Sequence, residues 1–311
     1  MEHSDDSASH PYIYTSLKAL QKLKYRTQGI NLQANQPINS VLNGSHASKL
    51  RGRGLNFEEM RQYHKGDDIR TMDWRATIRT GRPHVRVYNE EKERNVYLLV
   101  DQRQSMFFGS QYKLKSVIAA EVASLIAWGA IASSDKVGAI VFNDHQVKVL
   151  KPKCSELQII QILKEITAQN NALSAGGIGS CFEASINQVF ESLARLAGHD
   201  SLVILISDGR GWNDKTTEYI KGLRQHNEFM FCQVLDPLER EIPNISHTVI
   251  SDGQWQLEVN LQELATKYQH KVEERLGYLN SVAKKYRLPV LSVDTLSQPE
   301  RQLRTLLGRL G

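Results

Sequence analysis

The run Val96-Tyr97-Leu98-Leu99-Val100 constrains this chain more than any other stretch. Five apolar residues in succession are too few for a helix and suit a strand buried on both faces. A strand covered on both sides needs helices above and below it, which places the chain in the α/β class. The run ends on Asp101, a polar turn follows (Gln102 to Ser105), and an alanine-rich helical pattern begins near Lys113. In an open α/β sheet, ligands sit in the crevice beyond the carboxyl ends of the strands. Asp101 is therefore a candidate site residue on position alone.

The pattern repeats downstream. Lys136–Phe142, Ser201–Ile206, Phe229–Leu235 and Pro289–Val293 read as further strands, with Gln146–Leu150 a hairpin partner of the first. Between them, helical spacing covers Ser116–Ser133, Ser155–Ile166 with Ser155 as N-cap, a stretch reaching Leu196, Lys215–His226, residues 260–286 and Pro299–Leu307. Thr248–Ile250 and Trp255–Val259 read as a small hairpin. The alternation predicts a doubly wound, mostly parallel sheet with helices on both faces. At 311 residues, 41% apolar and 23% charged, the chain can bury a full core and is no disordered tail. Its three cysteines, Cys154, Cys181 and Cys232, form no CxxC pair, which argues for a reducing compartment. No apolar run approaches a membrane span, and an N-terminus with Glu2, Asp5 and Asp6 is no signal peptide, so the expected location is cytoplasmic.

Residues 51–94 differ in texture, with eleven Lys/Arg against eight Asp/Glu. Phe57, Met60 and Tyr63 fit one face of a short helix that Gly66 would end, and Pro83–Tyr88 alternates as a strand. Arg61, Arg70, Arg75 and Arg79 interleave with Glu58, Glu59, Asp67, Asp68 and Asp73, which predicts an internal salt-bridge lattice ahead of a nucleic-acid surface. Asp67 and Asp68 beside Arg70 and Arg75 are expected to pin the segment by charge-assisted bonds. Trp74 reads as a core anchor, and His46 and His64 have no metal-ligand partner at useful spacing.

A second buried strand also ends on an acid, Asp208. Adjacent parallel strands would bring Asp101 and Asp208 into one crevice, where carboxylate and hydroxyl oxygens suit Mg²⁺. The arrangement resembles the metal-ion-dependent adhesion site of von Willebrand factor A domains, Asp-x-Ser-x-Ser with a threonine loop and a later Asp. This chain departs from it twice: Arg103 stands at the first serine position, and Ile178 stands at the threonine. A unit charge 4 Å from another interacts by roughly 4 kcal/mol at an effective dielectric near 20, and for Arg103 against Mg²⁺ the sign is repulsive. The expectation is that the Arg103 guanidinium takes the metal's place and bridges Asp101 and Asp208. The alternative is a surviving Mg²⁺ or Mn²⁺ site on Asp101, Ser105 and Asp208.

Segment 44–109 resembles the bacterial domain of unknown function 58 family. The resemblance rests on Gly44-Ser45-His46, Arg51-Gly52-Arg53-Gly54-x-x-Phe57, Arg61-x-Tyr63, Gly66-Asp67-Asp68-x-Arg70, Asp73-Trp74, Arg79, Arg86 and Glu91, then Asp101, Ser105-Met106, Gly109 and Asp236-Pro237-Leu238-Glu239. It implies an N-terminal arm or linker (1–43), a family-specific signature segment (44–94) and a von Willebrand factor A-like domain (95–311). It also implies a MoxR-type AAA+ ATPase as partner, acting on client proteins.

The functional expectation is a non-enzymatic interaction module with no cofactor. Its crevice comprises Asp101, Arg103, Ser105, Ile178, Asp208 and Arg210, where Arg103 and Arg210 would pair with a partner's carboxylate. Ser105 lacks a His base and a nucleophile elbow, and Gly176, Gly177 and Gly179 lack the lysine of a phosphate loop. The rival classes are a metal-dependent hydrolase on Asp101 and Asp208, and nucleic-acid binding by residues 49–94.

Overall fold

The computed structural model describes residues 10–27, 56–64, 67–89, 93–175, 182–240, 248–251, 256–259 and 261–310. The chain divides into two compact units, residues 34–93 and residues 1–33 with 94–311. The larger unit opens with α1 (Leu17–Lys22), whose N-cap Ser16 accepts from the Ala19 amide, and a 3-10 turn over Leu23–Arg26. The smaller unit holds β1 (Asn56–Gln62), α2 (Trp74–Thr80) and β2 (His84–Asn89). The larger then resumes with β3 (Asn95–Asp101), α3 (Lys115–Ala132), β4 (Lys136–Phe142), β5 (Val147–Lys153), α4 (Glu156–Asn171) and α5 (Phe182–Ala194). Next come β6 (Leu202–Ser207), α6 (Asp214–Leu223), β7 (Glu228–Leu235) and the single turn α7 (Pro237–Arg240). The hairpin β8 (Thr248–Ser251) and β9 (Gln256–Val259), then α8 (Leu261–Tyr286), β10 (Val290–Asp294) and α9 (Pro299–Leu310) complete it.

Six strands form one sheet in the order β10-β7-β6-β3-β4-β5, parallel except for β5, which runs antiparallel to β4 at the edge. Alternation along β3 feeds two cores. Val96, Leu98 and Val100 pack with residues of α1, α3, α4 and α9, while Tyr97 and Leu99 pack with residues of α5, α6 and α8. This is the doubly wound architecture expected from the strand–helix alternation. Leu20 and Leu23, in the stretch read as an arm, are buried in the first core. α3 corrects one reading. By length and composition it could cross a membrane, yet 83% of it is buried inside the fold, where it serves as the core helix beneath β3. Because β3 has β4 on one side and β6 on the other, the winding reverses at its carboxyl end. That reversal opens the crevice at Asp101.

Within the smaller unit, β1 and β2 pair antiparallel, with Arg61 opposite Val85 and Gln62 opposite His84. The short helix expected over Phe57–Tyr63 is therefore a strand. Two turns of helix are marginal alone, and the ladder offered by β2 outweighs the i, i+3 spacing. α2 starts at Asp73, whose Oδ1 accepts from the Ala76 amide at 3.0 Å, and ends at Gly81 in the left-handed region (φ 69°). The Ala76 amide and the Arg86 guanidinium together hold the Asp73 carboxyl below its usual range. Arg61 forks onto Asp67 at 2.9 and 2.7 Å, and Asp68 caps the 3-10 turn Ile69–Thr71 through the Arg70 amide. Among the described residues the lattice shows the pairs Arg61–Asp67 and Arg86–Asp73. Arg70, Arg75 and Arg79 make no ion pair among the described residues. Trp74 is 62% exposed, so it is no core anchor. Arg53 lies outside the described residues.

Candidate functional site

Asp101 ends β3, one residue past the Val100–Ile206 pairing that aligns β3 with β6. Arg103 follows with an extended backbone (φ −77°, ψ 165°) and begins a 3-10 turn over Gln104–Met106, which folds its side chain back over the strand end. Its amide and Nε both donate to Asp101 Oδ1, at 3.0 and 2.9 Å, and Nη2 donates to Oδ2 at 2.6 Å. Nη2 also reaches the Arg210 carbonyl at 2.9 Å, and the Ser207 hydroxyl donates to Asp101 Oδ2 at 2.6 Å. The guanidinium lies 5.3 Å from the Phe142 ring centre. Both charged side chains are 0% exposed. Burial alone would loosen the Arg103 proton, but the Asp101 carboxylate more than offsets it and holds the guanidinium's pKa above its ordinary value.

Asp208 is held by a different cation. Lys115, the first residue of α3, donates from Nζ to Asp208 Oδ2 at 3.0 Å and to Glu239 Oε1 at 2.9 Å. Arg275 of α8 donates to Glu239 at 3.1 Å and approaches Asp208 at 3.9 Å. The Arg210 amide caps Asp208 Oδ1 at 2.9 Å. Burial pushes the Asp208 carboxyl up. Lys115, Arg275, Arg103 and Arg210 outweigh that and hold it well below the usual carboxylate range. The expected bridge is therefore split: Arg103 forks onto Asp101, and Lys115 secures Asp208. Among the described residues the ion pairs join three acids, Asp101, Asp208 and Glu239, to three cations, Arg103, Lys115 and Arg275, and Asp144 and Arg210 add one charge of each sign nearby.

The structure brings Asp101, Arg103, Asp208 and Arg210 together, with Ser105 in the 3-10 turn that follows Arg103; Ile178 lies outside the described residues. Ser105 is 7% exposed, and its Oγ has no hydrogen-bond partner. The sequence reading missed Lys115, Glu239 and Arg275. It also missed a buried amide relay beside the site. Gln102 Nε2 donates to the Ser116 carbonyl, Asn170 Nδ2 donates to Gln102 Oε1 at 2.9 Å, and the Thr15 amide donates to Asn170 Oδ1 at 2.8 Å. The N-terminal segment is thereby tied to the turn that carries Arg103.

Gly209 makes the sharp exit from β6 possible. Its φ of +73° is in the left-handed region, and a Cβ there would stand 2.6 Å from Leu279 Cδ1 and 3.2 Å from Phe231 Cζ. Gly209→Ala is expected to cost about 1–3 kcal/mol, read as a lower urea midpoint with an unchanged slope.

The adhesion-site pattern that the sequence resembles implies a divalent ion in this crevice, and the described residues do not fit one. Asp101 already accepts from Arg103 and Ser207, and Asp208 from Lys115 and a backbone amide. An added ion would face two fully buried cations. Among the described residues no group of three or more His, Cys, Asp or Glu is arranged to hold a metal. Ser105 Oγ is the one ligand atom of the alternative set, Asp101, Ser105 and Asp208, without a hydrogen-bond partner.

Residues 59–277 match the family described as "Protein of unknown function DUF58". The chain belongs to this family. A relative at 27% identity over 236 residues, covering 75% of this chain and 71% of the other, is the uncharacterized protein Rv1480 of Mycobacterium tuberculosis. Among solved structures, an aerotolerance-related membrane protein from Bacteroides fragilis is 15% identical with a TM-score of 0.39, covering 70% of this chain and 98% of that one. A von Willebrand factor type A protein from Catenulispora acidiphila is 10% identical with a TM-score of 0.34, covering 73% and 43%. The cytoplasmic expectation is corrected: the similar structure from Bacteroides fragilis is described as a membrane protein, and no cytosolic placement is retained for this DUF58 chain.

Proposed function

We propose that this DUF58 chain is a non-enzymatic, metal-independent interaction module that works with a MoxR-type AAA+ ATPase on client proteins. The observation that carries the reading is the closed charge cluster at the strand ends. Where related folds open a carboxylate crevice to a dissolved ion, Arg103 and Lys115 fill it with covalently attached cations. The arrangement is also poor for hydrolysis. A nucleophilic serine needs a base within hydrogen-bond reach, and Ser105 Oγ has no hydrogen-bond partner among the described residues.

The part offered to a partner differs from the sequence expectation. Arg103 is fully buried and cannot reach a carboxylate on another protein. Arg210 is half-buried at the rim, with its backbone locked on both sides by Asp208 and Arg103. Its position is thus held by the cluster beneath it. Arg210→Glu is expected to lower the melting temperature modestly, because the charge also acts on Asp208, and Arg210→Gln, which keeps the fold, to lower recovery of the MoxR-type ATPase in co-purification several-fold. Undiminished recovery would rule out this contact.

A further inference from the structure

The smaller unit carries a surface that its described residues leave exposed. α2 places Trp74 and Ile78 four residues apart, on one stripe of the helix, at 62% and 82% exposed. Ile69, in the turn just before it, is 63% exposed. Arg70, Arg75, Arg79 and Arg82 are exposed around this stripe and make no ion pair among the described residues. The carboxylates of Asp67 and Asp73 are engaged by Arg61 and Arg86.

Apolar area in water and crowded like charges both disfavour this face as it stands. One kind of surface relieves both at once, an apolar groove with carboxylates on its rim. Tryptophan and arginine are the side chains that dominate the centres of protein–protein interfaces. Among the described residues Trp74 is the one ring on this stripe, and the aliphatic Ile69 and Ile78 give successive nucleic-acid bases nothing further to stack on. A two-turn helix with so narrow a stripe buries little of the apolar area that holds interfacial helices on a bilayer. We propose that the α2 face docks a protein partner through an acid-rimmed apolar groove, with Trp74 and Ile78 as anchors and the four arginines steering approach. This rests on the reading of the chain as an interaction module and adds a contact on the smaller unit to that at Arg210.

The test compares the full-length chain with Trp74→Ala/Ile78→Ala and with Arg75→Glu/Arg79→Glu, each checked for an unchanged melting temperature. Three probes are used: the MoxR-type ATPase, vesicles of phosphatidylcholine with phosphatidylglycerol, and a single-stranded oligonucleotide. The expected result is ATPase binding that weakens about tenfold or more in each double variant and falls with added salt for the unaltered chain. ATPase binding that is equal in all three proteins would overturn the docking face and leave the ATPase reading standing. Binding of vesicles or oligonucleotide that depends on these residues while ATPase binding does not would assign the face to a different partner and overturn the proposal. No ATPase binding by the unaltered chain would overturn both readings.

Discussion

Asp101→Asn is expected to cost about 3–5 kcal/mol of folding stability, the scale for removing one partner of a buried ion pair. A domain of ordinary stability, about 5–15 kcal/mol, would lose a large share of it. The reason is the guanidinium left behind. Arg103 is 0% exposed, its amide, Nε and Nη2 all point at this one carboxylate, and Ser207 donates to it as well. An Asn side chain keeps one acceptor, turns a donor toward groups that also donate, and carries no charge. Arg103→Met should be destabilising for the mirror reason, because it strands a buried carboxylate. The double change, Asp101→Asn with Arg103→Met, should be less harmful than the sum of the singles, with a coupling of about 1–3 kcal/mol. Denaturant unfolding of the four proteins measures this. Were Arg103 directed into water, its replacement would cost no more than about 1 kcal/mol and the coupling would vanish.

The second large effect is predicted at Lys115. Lys115→Met leaves Asp208 and Glu239 in one buried space with Arg275 as their shared ion-pair partner and the more distant Arg103 and Arg210 acting on Asp208 besides. A loss of about 3–5 kcal/mol is expected at neutral pH, and its pH dependence identifies the cause. In the variant, Asp208 loses the leading charge that holds its carboxyl down, so its folded-state pKa rises toward the unfolded value. The unaltered chain keeps the full depression. Its Asp208 has a depressed folded pKa, so the stability it supplies is present above about pH 4 and is lost as the pH drops further. The gap between the two proteins should close on acidification, followed by urea midpoints at a series of pH values. A gap that stays constant with pH would point to lost packing in α3 instead.

The sheet was legible because its signal is local. A strand such as Val96–Val100, apolar at every position, has few alternatives, and an all-round apolar helix such as α3 has to be a core element. Asp101, Arg103 and Asp208 could be placed at strand ends by the same logic. Lys115 could not. Its acids lie 93 and 124 residues away in the chain, and nothing nearby marks a lysine at a helix start as buried. The one hint was the motif Asp236-Pro237-Leu238-Glu239, noticed for its resemblance to the family and not for its chemistry. Errors in the smaller unit have a different origin. Phe57, Met60 and Tyr63 satisfy helical spacing over too short a span, and pairing with β2 settles the matter through contacts that local periodicity does not encode. The bulk of Trp74 suggests a core, yet it is the first residue of a two-turn helix that buries Ala76 and leaves the indole in solvent.

The measurement closest to the central claim is a calorimetric titration of the purified, chelator-treated chain with Mn²⁺. If Arg103 and Lys115 hold the positions of an ion, no saturable heat will appear at micromolar metal. Micromolar binding of one Mn²⁺ per chain, lost in Ser105→Ala while that variant keeps its melting temperature, would mean the crevice still takes a metal and would contradict the account.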